Sequence, residues 1–489
     1  MAASEAVPYA KTGGLADVAG VLPGELARLG HEVTLVLPRY RSFHARSHSL
    51  RIVGTIPVRT AEGLVDATLE EDLIPAGPGS RPVRVLAVRH DPYFDREGLY
   101  QGPEGDYPDN LARFVFFSRA IIEVLEFLAR TGRQLTQVVH LHDWQTALCA
   151  MYLKTEAGDR GELQKMKTLL TLHNVGYQGL FPGDQFPTTG LPASLFTPAG
   201  LEFYGSVNLL KGGILFSDAV STVSPTYAKE IMTPAYGFGL EGVLAGRKDG
   251  VFGITNGIDV DSWNPETDQY LPARYSGGDL SGKLVCKREL QRELGLPNSE
   301  VPLIGAIGRL TSQKGFDLLA EVIPELMALG VQLVILGTGD RDLEERFREA
   351  QARYPRQIGV AIGFDEGRAH RMEAGADMLV MPSRYEPCGL SQLYSLRYGT
   401  VPIVRKTGGL ADTVVPYKPR TVQEGKATGF HFDELSADSL LSTILLAVKV
   451  YEDSEAWDSL RKAGMAVDSS WARAAKEYAA VFRRLVARR

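Results

Sequence analysis

The stretch KTGGLADV at residues 11–18 returns near the other end of the chain as KTGGLADT at residues 406–413, so seven of eight positions are identical. In each copy two glycines open an apolar helical pattern, and the second copy follows a strand-like run, Val401–Val404. Glycine permits close backbone approach, and the helix start behind it offers free N–H groups and the positive end of the helix dipole. The repeat therefore predicts two similar α/β domains that hold an anionic ligand. Two tight strand–helix turns without a ligand are the alternative.

Length and composition favour a globular protein of two domains. The chain has 489 residues, which is too long for a single hydrophobic core. Its 44% hydrophobic and 23% charged residues are typical of a globular protein. A net charge of −6 gives no basic excess, so no nucleic-acid partner is expected. No apolar run approaches a membrane span, no signal peptide begins the chain, and the three cysteines form no C-x-x-C pair. We therefore expect a cytoplasmic protein with no membrane partner, no disulfide framework and no zinc site.

Apolar, β-branched runs alternate with helical patterns, which is typical of α/β units with parallel sheets. The predicted strands are Glu32–Leu37, Val83–Val88, Gln137–Leu141, Lys167–Leu172, Asp218–Val223, Leu303–Ile307, Val331–Leu336, Ile358–Ala361, Met378–Met381 and Val401–Val404. The predicted helices include Asn110–Arg130 with Asp109 as N-cap, Lys283–Leu294 and Ser470–Leu485. A turn signal at Asn256-Gly257 predicts an N-terminal domain of residues 1–253, a C-terminal domain of 254–471 and a last helix of 472–489.

The loop GRLTSQKG, residues 308–315, follows the predicted strand Leu303–Ile307. Ligands of open α/β sheets bind at the carboxyl ends of strands, where this loop lies. Arg309 and Lys314 are close enough in sequence to reach one diphosphate, the arginine bidentately and the lysine as a point charge. We favour this phosphate role over two solvated surface charges.

The segment PSRYEPCGL, residues 382–390, follows the strand Met378–Met381 and precedes a helical pattern. Glu386 is thus predicted at the carboxyl end of a strand, beside a helix start that stabilises its charge. The N–H groups of Cys388, Gly389 and Leu390 are candidates for binding a sugar or a phosphate. A capping carboxylate and a small buried cysteine are the structural alternatives.

Two polar segments end neighbouring strands of the first domain: His140-Leu141-His142-Asp143-Trp144 and Thr171-Leu172-His173-Asn174. Without H-E-x-x-H or C-x-x-C spacing, a metal site is disfavoured, whereas Asp and His suit sugar hydroxyls. Trp144 either packs on the apolar face of a sugar or fills the core. Asp259-Val260-Asp261 has D-x-D spacing but stands in the predicted linker, so we interpret it as structural.

Together these segments resemble a known family. KTGGLADV, HLHDW, TLHN, TNGID, GRLTSQKG, SRYEPCGLSQLYSLRYG and KTGGLADT, in this order, are similar to the motifs of bacterial glycogen synthase and plant starch synthase. The resemblance implies the GT-B fold, two Rossmann-like domains facing a deep cleft, with the last helix crossing back to the first. It also implies retaining transfer of glucose from ADP-glucose to the non-reducing end of an α-1,4-glucan such as glycogen, without a metal or other cofactor.

On this resemblance the site residues take specific roles. The catalytic candidates are Glu386 near the donor glucose, His173 and Asp143 near the sugar and acceptor, and Arg309 and Lys314 on the diphosphate. The other donor-binding candidates are Lys11, Gly13, Gly14, Cys388, Gly389, Leu390, Thr407, Gly408 and Gly409. The acceptor-side candidates are Asp143, Trp144, Asn174 and Tyr100. Residues Asn256 to Asp259 would lie at the hinge.

Other functions compete with this one. A GT-B glucosyltransferase that uses UDP-glucose would keep the same phosphate residues, since no residue was found to select adenine. A non-catalytic glucan-binding protein would lack the charged residues that are present here. A phosphorylase would need a pyridoxal-phosphate lysine, for which no recognisable setting was found.

The N-terminus departs from the family pattern. An apolar strand usually precedes the S-E-x-x-P segment, and here only Met1-Ala2-Ala3 precede Ser4. We hypothesise that residues are missing upstream, in which case the first sheet lacks most of a central strand.

Overall fold

The computed structural model describes residues 1–45, 50–132, 136–156 and 161–487. The chain divides into two compact units, each built from strands and helices. The first contains residues 1–223, 228–256 and the last helix, and the second contains residues 224–227 and 257–470. Among the described residues, no helix has the length and apolar character that a membrane span requires.

The first unit is organised around a large mixed sheet. Its strands and the smaller ones beside it are β1 (Thr34–Pro38), β2 (Arg51–Thr60), β3 (Gly63–Ile74), β4 (Val83–Arg89), β5 (Gln101–Gly102), β6 (Gly105–Asp106), β7 (Val138–His142), β8 (Lys167–Leu172), β9 (Leu180–Pro182), β10 (Glu202–Phe203), β11 (Ser206–Asn208), β12 (Ala219–Thr222) and β13 (Phe252–Gly253). One half of the sheet has the order β1-β4-β3-β2, and the other half, all parallel, has the order β13-β12-β8-β7. The five predicted strands of this region are confirmed within two residues at each end.

The first three residues join these two halves. Ala2 forms parallel bridges to Val36 of β1 and to Leu141 of β7. Its N–H donates to the carbonyl of His140 at 2.8 Å, and its carbonyl accepts from His142 at 3.2 Å. This segment lies between β1 and β7 and contributes isolated bridges at Ala2 instead of a strand, so the hypothesis of missing upstream residues stays a prediction.

The helices of the first unit are α1 (Gly14–Arg28), α2 (Asp91–Phe94), α3 (Asn110–Arg130), α4 (Trp144–Thr155), α5 (Leu209–Phe216), α6 (Pro225–Glu230, begun in the second unit), α7 (Glu241–Ala245) and α18 (Trp471–Ala487). One buried cluster unites the last helix with the first, since Trp471 and Tyr478 pack with Leu22 and Leu26. The helix at 110–130 is confirmed. Its N-cap residue Asp109 makes no side-chain cap, because its carboxylate instead accepts from Arg96 at 2.7 and 2.6 Å.

The second unit contains one six-stranded parallel sheet of order β16-β15-β14-β17-β18-β19. Its strands are β14 (Leu303–Ile307), β15 (Gln332–Gly337), β16 (Ile358–Ile362), β17 (Met378–Met381), β18 (Val401–Arg405) and β19 (Phe430–Phe432). Its helices are α8 (Ser281–Glu293), α9 (Phe316–Glu321), α10 (Ile323–Ala328), α11 (Arg341–Arg353), α12 (Glu366–Gly375), α13 (Ser391–Arg397), α14 (Gly408–Thr413), α15 (Pro419–Gln423), α16 (Ala437–Tyr451) and α17 (Ser454–Met465). All five predicted strands are confirmed, and their near-complete burial explains why they read as continuous apolar runs.

The antiparallel hairpin β2-β3 is absent from the prediction. It pairs from Arg51 with Glu71 to Thr60 with Gly63, with a register shift between Ile52 and Gly54. In β2 only Ile56 and Val58 are buried, with exposed neighbours between and beside them. A strand with one solvated face alternates in hydrophobicity, so a search for continuous apolar runs does not find it.

Candidate active site

Three loops of the second unit meet at one edge of its sheet. They are residues 308–315 after β14, 382–390 after β17 and 406–409 after β18. Because β14, β17 and β18 are parallel neighbours, their carboxyl ends share that edge. The residues predicted to bind the donor in this unit are therefore brought together.

Glycines allow these loops to touch backbone to backbone. A Cβ on Gly315 would lie 2.0 Å from the carbonyl oxygen of Pro382, and one on Gly408 would lie 1.9 Å from that of Glu386. A Cβ on Gly409 would lie 2.0 Å from the carbonyl oxygen of Cys388. The close approach made by the second Gly-Gly pair is thus to the protein's own 386–388 backbone.

Lys314 and Glu386 form an ion pair across two of the loops. The Nζ of Lys314 donates to Oε2 of Glu386 at 2.6 Å, and Ser383 Oγ donates to the same oxygen at 3.0 Å. The Glu386 side chain is almost fully buried, whereas that of Lys314 is 23% exposed. Lys314 is therefore held in position by one of its three donors, and the Glu386 oxygen Oε1 is used by neither contact.

A second pair fixes the loop that carries Arg309. Arg384 binds Asp317 bidentately, with both N–O distances 2.7 Å, and its backbone N–H donates to the carbonyl of Gln313 at 2.8 Å. Arg309 is exposed, and its Nη2 donates to Gln313 Oε1 at 3.3 Å. The arginine predicted to bind phosphate thus presents its guanidinium on a loop that is anchored from beneath.

The segment before α13 is held by internal hydrogen bonds and burial that its sequence does not indicate. Cys388 is 5% exposed, and Gln392 Nε2 donates to the carbonyls of Cys388 and Gly389, both at 3.0 Å. Gly389 has φ +72°, a conformation that favours glycine. Leu390 is the N-cap of α13.

In the first unit, the turn of the first KTGG copy surrounds a buried carboxylate. Glu5, 4% exposed, accepts from the backbone N–H groups of Thr12 and Gly13, the latter at 3.2 Å, and from Thr12 Oγ1 at 2.9 Å. Tyr100 Oη donates to Glu5 Oε1 at 3.0 Å and bonds Ser4 Oγ at 2.7 Å. Burial raises the pKa of the Glu5 carboxyl, although these donors oppose the shift. Two N–H groups with which this turn could bind an anionic ligand are therefore occupied by Glu5.

Lys11 and the two following glycines lie at the surface of the first unit. Lys11 Nζ donates to Asp17 Oδ1 at 2.7 Å, and 43% of the lysine side chain is exposed. Gly13 and Gly14 are exposed, and no heavy atom lies within 4 Å of a Cβ built on Gly13. Unlike the second copy, this turn is open to a ligand.

Asp143 occupies a strained position at the end of β7. Its φ is +54°, and its Oδ1 accepts from the backbone N–H of His173 at 2.7 Å. The N–H of Asn174 also stabilises the carboxylate, but burial dominates and raises the pKa of Asp143 to about 7. Non-glycine residues in such conformations concentrate at functional sites.

The histidines form a buried chain beside Asp143. His142 Nδ1 lies 2.9 Å from His173 Nε2, and His140 Nε2 lies 2.7 Å from Thr171 Oγ1. Burial lowers the pKa of His173 to about 3 and lowers those of His140 and His142 as well. All three are therefore neutral near pH 7, and one of the His142–His173 nitrogens donates to the other. No group of three or more potential metal ligands occurs among the described residues.

The remaining acceptor-side candidates have packing roles. The Trp144 ring contacts Phe114 edge-on, with centroids 4.9 Å apart, and a Cβ on Gly179 would lie 2.5 Å from it. Asn174 Oδ1 accepts from the N–H of Gly176 at 2.9 Å and so stabilises the turn after β8. In the linker, Asp259 accepts from the N–H groups of residues 261 and 262, which agrees with a structural D-x-D segment.

Two residues of these edges were not singled out from the sequence. Glu5 lies in the S-E-x-x-P segment, but nothing in its spacing shows that it binds the Gly-Gly turn. Phe364 follows β16 and is 83% exposed at the carboxyl edge of the second sheet. Phe364 is recognised as a candidate by its exposure in the structure and not by its residue type.

Comparisons with known proteins identify the family of the chain. Residues 1–246 match the family model of the starch synthase catalytic domain, and residues 287–463 match that of glycosyl transferases group 1. The glycogen synthase of Koribacter versatilis is 45% identical over 482 residues, covering 98% of this chain and 96% of that protein. Glycogen synthase 2 of Geobacter sulfurreducens is 46% identical over 485 residues, covering 99% and 98%.

Solved structures give the same result. The catalytic domain of starch synthase IV from Arabidopsis thaliana, solved bound to ADP and acarbose, has a TM-score of 0.88 at 33% identity and covers 100% of this chain and 99% of that one. Sucrose-phosphate synthase from Thermosynechococcus elongatus, at 17% identity and a TM-score of 0.59, shares the fold. The resemblance seen in the motifs is confirmed, and the chain belongs to the glycogen and starch synthase family, glucosyltransferases of the GT-B fold.

Proposed function

We propose that the protein transfers glucose from ADP-glucose to the non-reducing end of an α-1,4-glucan with retention at the anomeric carbon. The observation that carries the proposal is the Lys314–Glu386 pair, 2.6 Å apart, at a strand edge that also presents Arg309. The relatives named glycogen synthase and the starch synthase IV domain solved with ADP support the donor and the product.

The leaving group is a nucleoside diphosphate, whose negative charge grows as the sugar–phosphate bond breaks. Fixed cations aimed at that charge lower the barrier, and they cost no reorganisation when they are already held in place. Glu386, itself bonded by Ser383, holds Lys314, and the half-buried Arg384–Asp317 pair supports the loop of Arg309. We propose that these cations take the role that a metal ion has in other transferases.

The nucleobase has a candidate platform in Phe364. Neighbouring strands are about 4.8 Å apart, so the end of β16 lies roughly 10 Å from the end of β14, two strands away. That separation matches the reach of a nucleoside diphosphate from its phosphates to its base. A purine offers a larger face to an aromatic ring than a pyrimidine does, which favours ADP-glucose over UDP-glucose.

In the first unit, Asp143 and His173 are candidates for the sugar and acceptor hydroxyls. Near pH 7 the imidazole of His173 is neutral and has both a donor and an acceptor nitrogen, one of which is engaged by His142. We propose front-face attack, with the leaving phosphate accepting the proton of the acceptor hydroxyl, because the sequence motifs offer no evident covalent nucleophile for a retaining reaction.

The test is transfer of labelled glucose to glycogen from ADP-glucose and from UDP-glucose in parallel, with a chelator present. We expect preferred transfer from ADP-glucose that persists in the chelator. In Lys314→Ala, kcat/KM for the donor should fall about 10²-fold or more, whereas glucan binding should not change. Lys426→Ala, which removes an exposed lysine of the same unit, is the control.

Each arm has an outcome against the proposal. Preference for UDP-glucose would overturn the donor, and loss of activity in the chelator would overturn the cation-only account. Equal losses of donor turnover and glucan binding in Lys314→Ala would contradict its diphosphate role.

A further inference from the structure

Two exposed aromatic residues of the first unit have backbone conformations that favour glycine or asparagine. Tyr204 and Phe238 both have φ +51°, and each precedes a glycine in the same region, Gly205 at +81° and Gly239 at +85°. Among the described residues, Asp143 alone shares this feature outside glycine, and it belongs to the candidate active site. Bulky residues in this region are strained, and such strain concentrates where a side chain has a function.

The turn itself does not require an aromatic ring. Tyr204 and Gly205 connect β10 with β11, and positive φ at both central residues defines a type I′ hairpin turn, which Asn-Gly fills best. Nor does the core require it, because Tyr204 is 86% exposed and Phe238 is 43% exposed. The rings are therefore held at the surface at the expense of local backbone strain.

The two aromatic–glycine turns lie against each other. A Cβ on Gly239 would lie 2.8 Å from the ring of Phe203 and 3.7 Å from that of Tyr204. The carbonyl of Phe238 accepts from Gln178 Nε2 at 3.0 Å. Both turns are thus anchored, so the rings are presented in a defined geometry.

This surface continues into the acceptor-side strand end. Tyr177, which precedes Gln178, is 51% exposed, and its N–H donates to the carbonyl of Asn174 at 3.1 Å. Tyr177, Tyr204 and Phe238 are named here the aromatic platform. The platform begins three residues after Asn174 and four after His173, and its side chains carry no charge.

We propose that the aromatic platform binds the α-1,4-glucan chain at glucose units beyond the one that reacts. The identity of the ligand rests on the proposed function. A glucose ring has C–H-lined faces that pack on an aromatic ring, while its hydroxyls stay in water or bond a tyrosine hydroxyl. Exposed apolar surface with polar neighbours marks a binding site, and an uncharged platform matches an uncharged polymer.

The experiment measures the Kd of maltoheptaose by titration calorimetry without a donor, on the full chain. Tyr204→Asn and Phe238→Asn each remove a ring and introduce a residue that the left-handed turn prefers. We expect the Kd to rise about tenfold in the double variant, while Tm stays the same or increases because strain is relieved. Tyr204→Phe should bind nearly as the parent does, and Leu64→Ala, which alters a 70% exposed side chain on the β2-β3 hairpin, is the matched control.

An unchanged Kd in the asparagine variants would overturn the proposal, as would no measurable maltoheptaose binding by the parent. A change of oligomeric state in those variants with an unchanged Kd would assign the surface to contact between copies instead. The proposed function can fail separately. If maltoheptaose binding depends on the two rings but no glucose is transferred, the platform proposal stands and the proposed function is overturned. If glucose is transferred but maltoheptaose binding does not depend on the rings, the proposed function stands and the platform proposal is overturned.

Discussion

The two KTGGLAD copies share a sequence and lie in different environments. In each, an extended residue precedes a helix that begins at a glycine: Gly13 (φ −158°) precedes α1, and Thr407 (φ −147°) precedes α14. The first helix continues for 15 residues and packs with α18, whereas the second has 6 residues. The equivalent glycines Gly13 and Gly408 differ, since Gly13 is extended and Gly408 has φ +44°, so the surroundings determine the backbone of the turn as well as its use.

Their surroundings differ in what meets the glycines. At the first copy, N–H groups bind the carboxylate of Glu5 and the outer side of Gly13 is open. At the second copy, Gly409 donates to the carbonyls of Glu386 and Pro387 at 3.1 and 3.2 Å, and Thr407 is fully buried. We infer that the second turn stabilises the 382–390 loop by packing against its backbone, whereas the first presents its outer side to a ligand.

The largest expected effect comes from adding a methyl group to each turn. Gly408→Ala, at the position equivalent to Gly13, should destabilise the second unit by about 3 kcal/mol, because its φ is +44° and its Cβ would overlap the carbonyl of Glu386. Gly13→Ala should change stability by less than about 0.5 kcal/mol, since its extended backbone suits alanine and nothing lies near the new Cβ. Urea unfolding with a probe for each unit measures both. Equal destabilisation would abolish the distinction between the copies.

Much of this arrangement follows from local sequence. Parallel strands buried on both faces read as apolar runs, and the residues directly after them must lie at one sheet edge, so Lys314 and Glu386 were placed by strand position alone. Contacts that depend on tertiary folding could not be predicted. The spacing of Gly408 and Gly409 does not show that residues 386–388 pack on them, and Glu5 is an unremarkable acidic residue until the chain folds it beneath Thr12.

The same limit applies to exposure. An aromatic residue in a loop is equally compatible with a core position and with a surface platform, so neither Phe364 nor Tyr204 was distinguished by the sequence. The hairpin β2-β3 was not predicted for a different reason, since burial alternates along β2 and the strand forms no continuous apolar run.

Removing the carboxylate beneath the first turn is the next largest change. Glu5→Ala should cost about 2 kcal/mol, because Thr12, Gly13 and Tyr100 lose hydrogen bonds to a buried carboxyl. The second turn should be unaffected, since its N–H groups bind backbone carbonyls instead. Chemical denaturation of Glu5→Ala beside Glu62→Ala, an exposed glutamate, measures the difference. A loss below about 0.5 kcal/mol would contradict the role of Glu5.

Substitution of the equivalent lysines Lys11 and Lys406 should have a smaller effect, which concerns the rate of glucose transfer instead of stability. Lys11→Ala should lower kcat/KM for ADP-glucose about tenfold, as expected for loss of one partly exposed cation from a donor site. Lys406→Ala should change it less than about threefold, since that lysine lies at the surface and pairs with exposed Asp433 at 3.6 Å. Initial rates at varied ADP-glucose and saturating glycogen compare them. A larger loss in Lys406→Ala would reverse the assignment of the two turns.

The smallest effect concerns the pH dependence of the first turn. Burial raises the pKa of Glu5 above its ordinary value of 4.5, so the folded state retains a proton at pH values where the unfolded chain has released it. The contribution of Glu5 to stability is therefore greatest at low pH and declines as pH rises from about 4.5 through the folded pKa. Glu5→Gln, which stays neutral, should lose this decline. In calorimetry from pH 4 to 8, the Tm of Glu5→Gln relative to that of the parent should therefore increase as the pH rises. The Tm of Glu62→Gln should follow that of the parent throughout. Parallel curves for Glu5→Gln and the parent would show that Glu5 has the same pKa in the folded and unfolded states, and the turn would then bind it without any proton linkage.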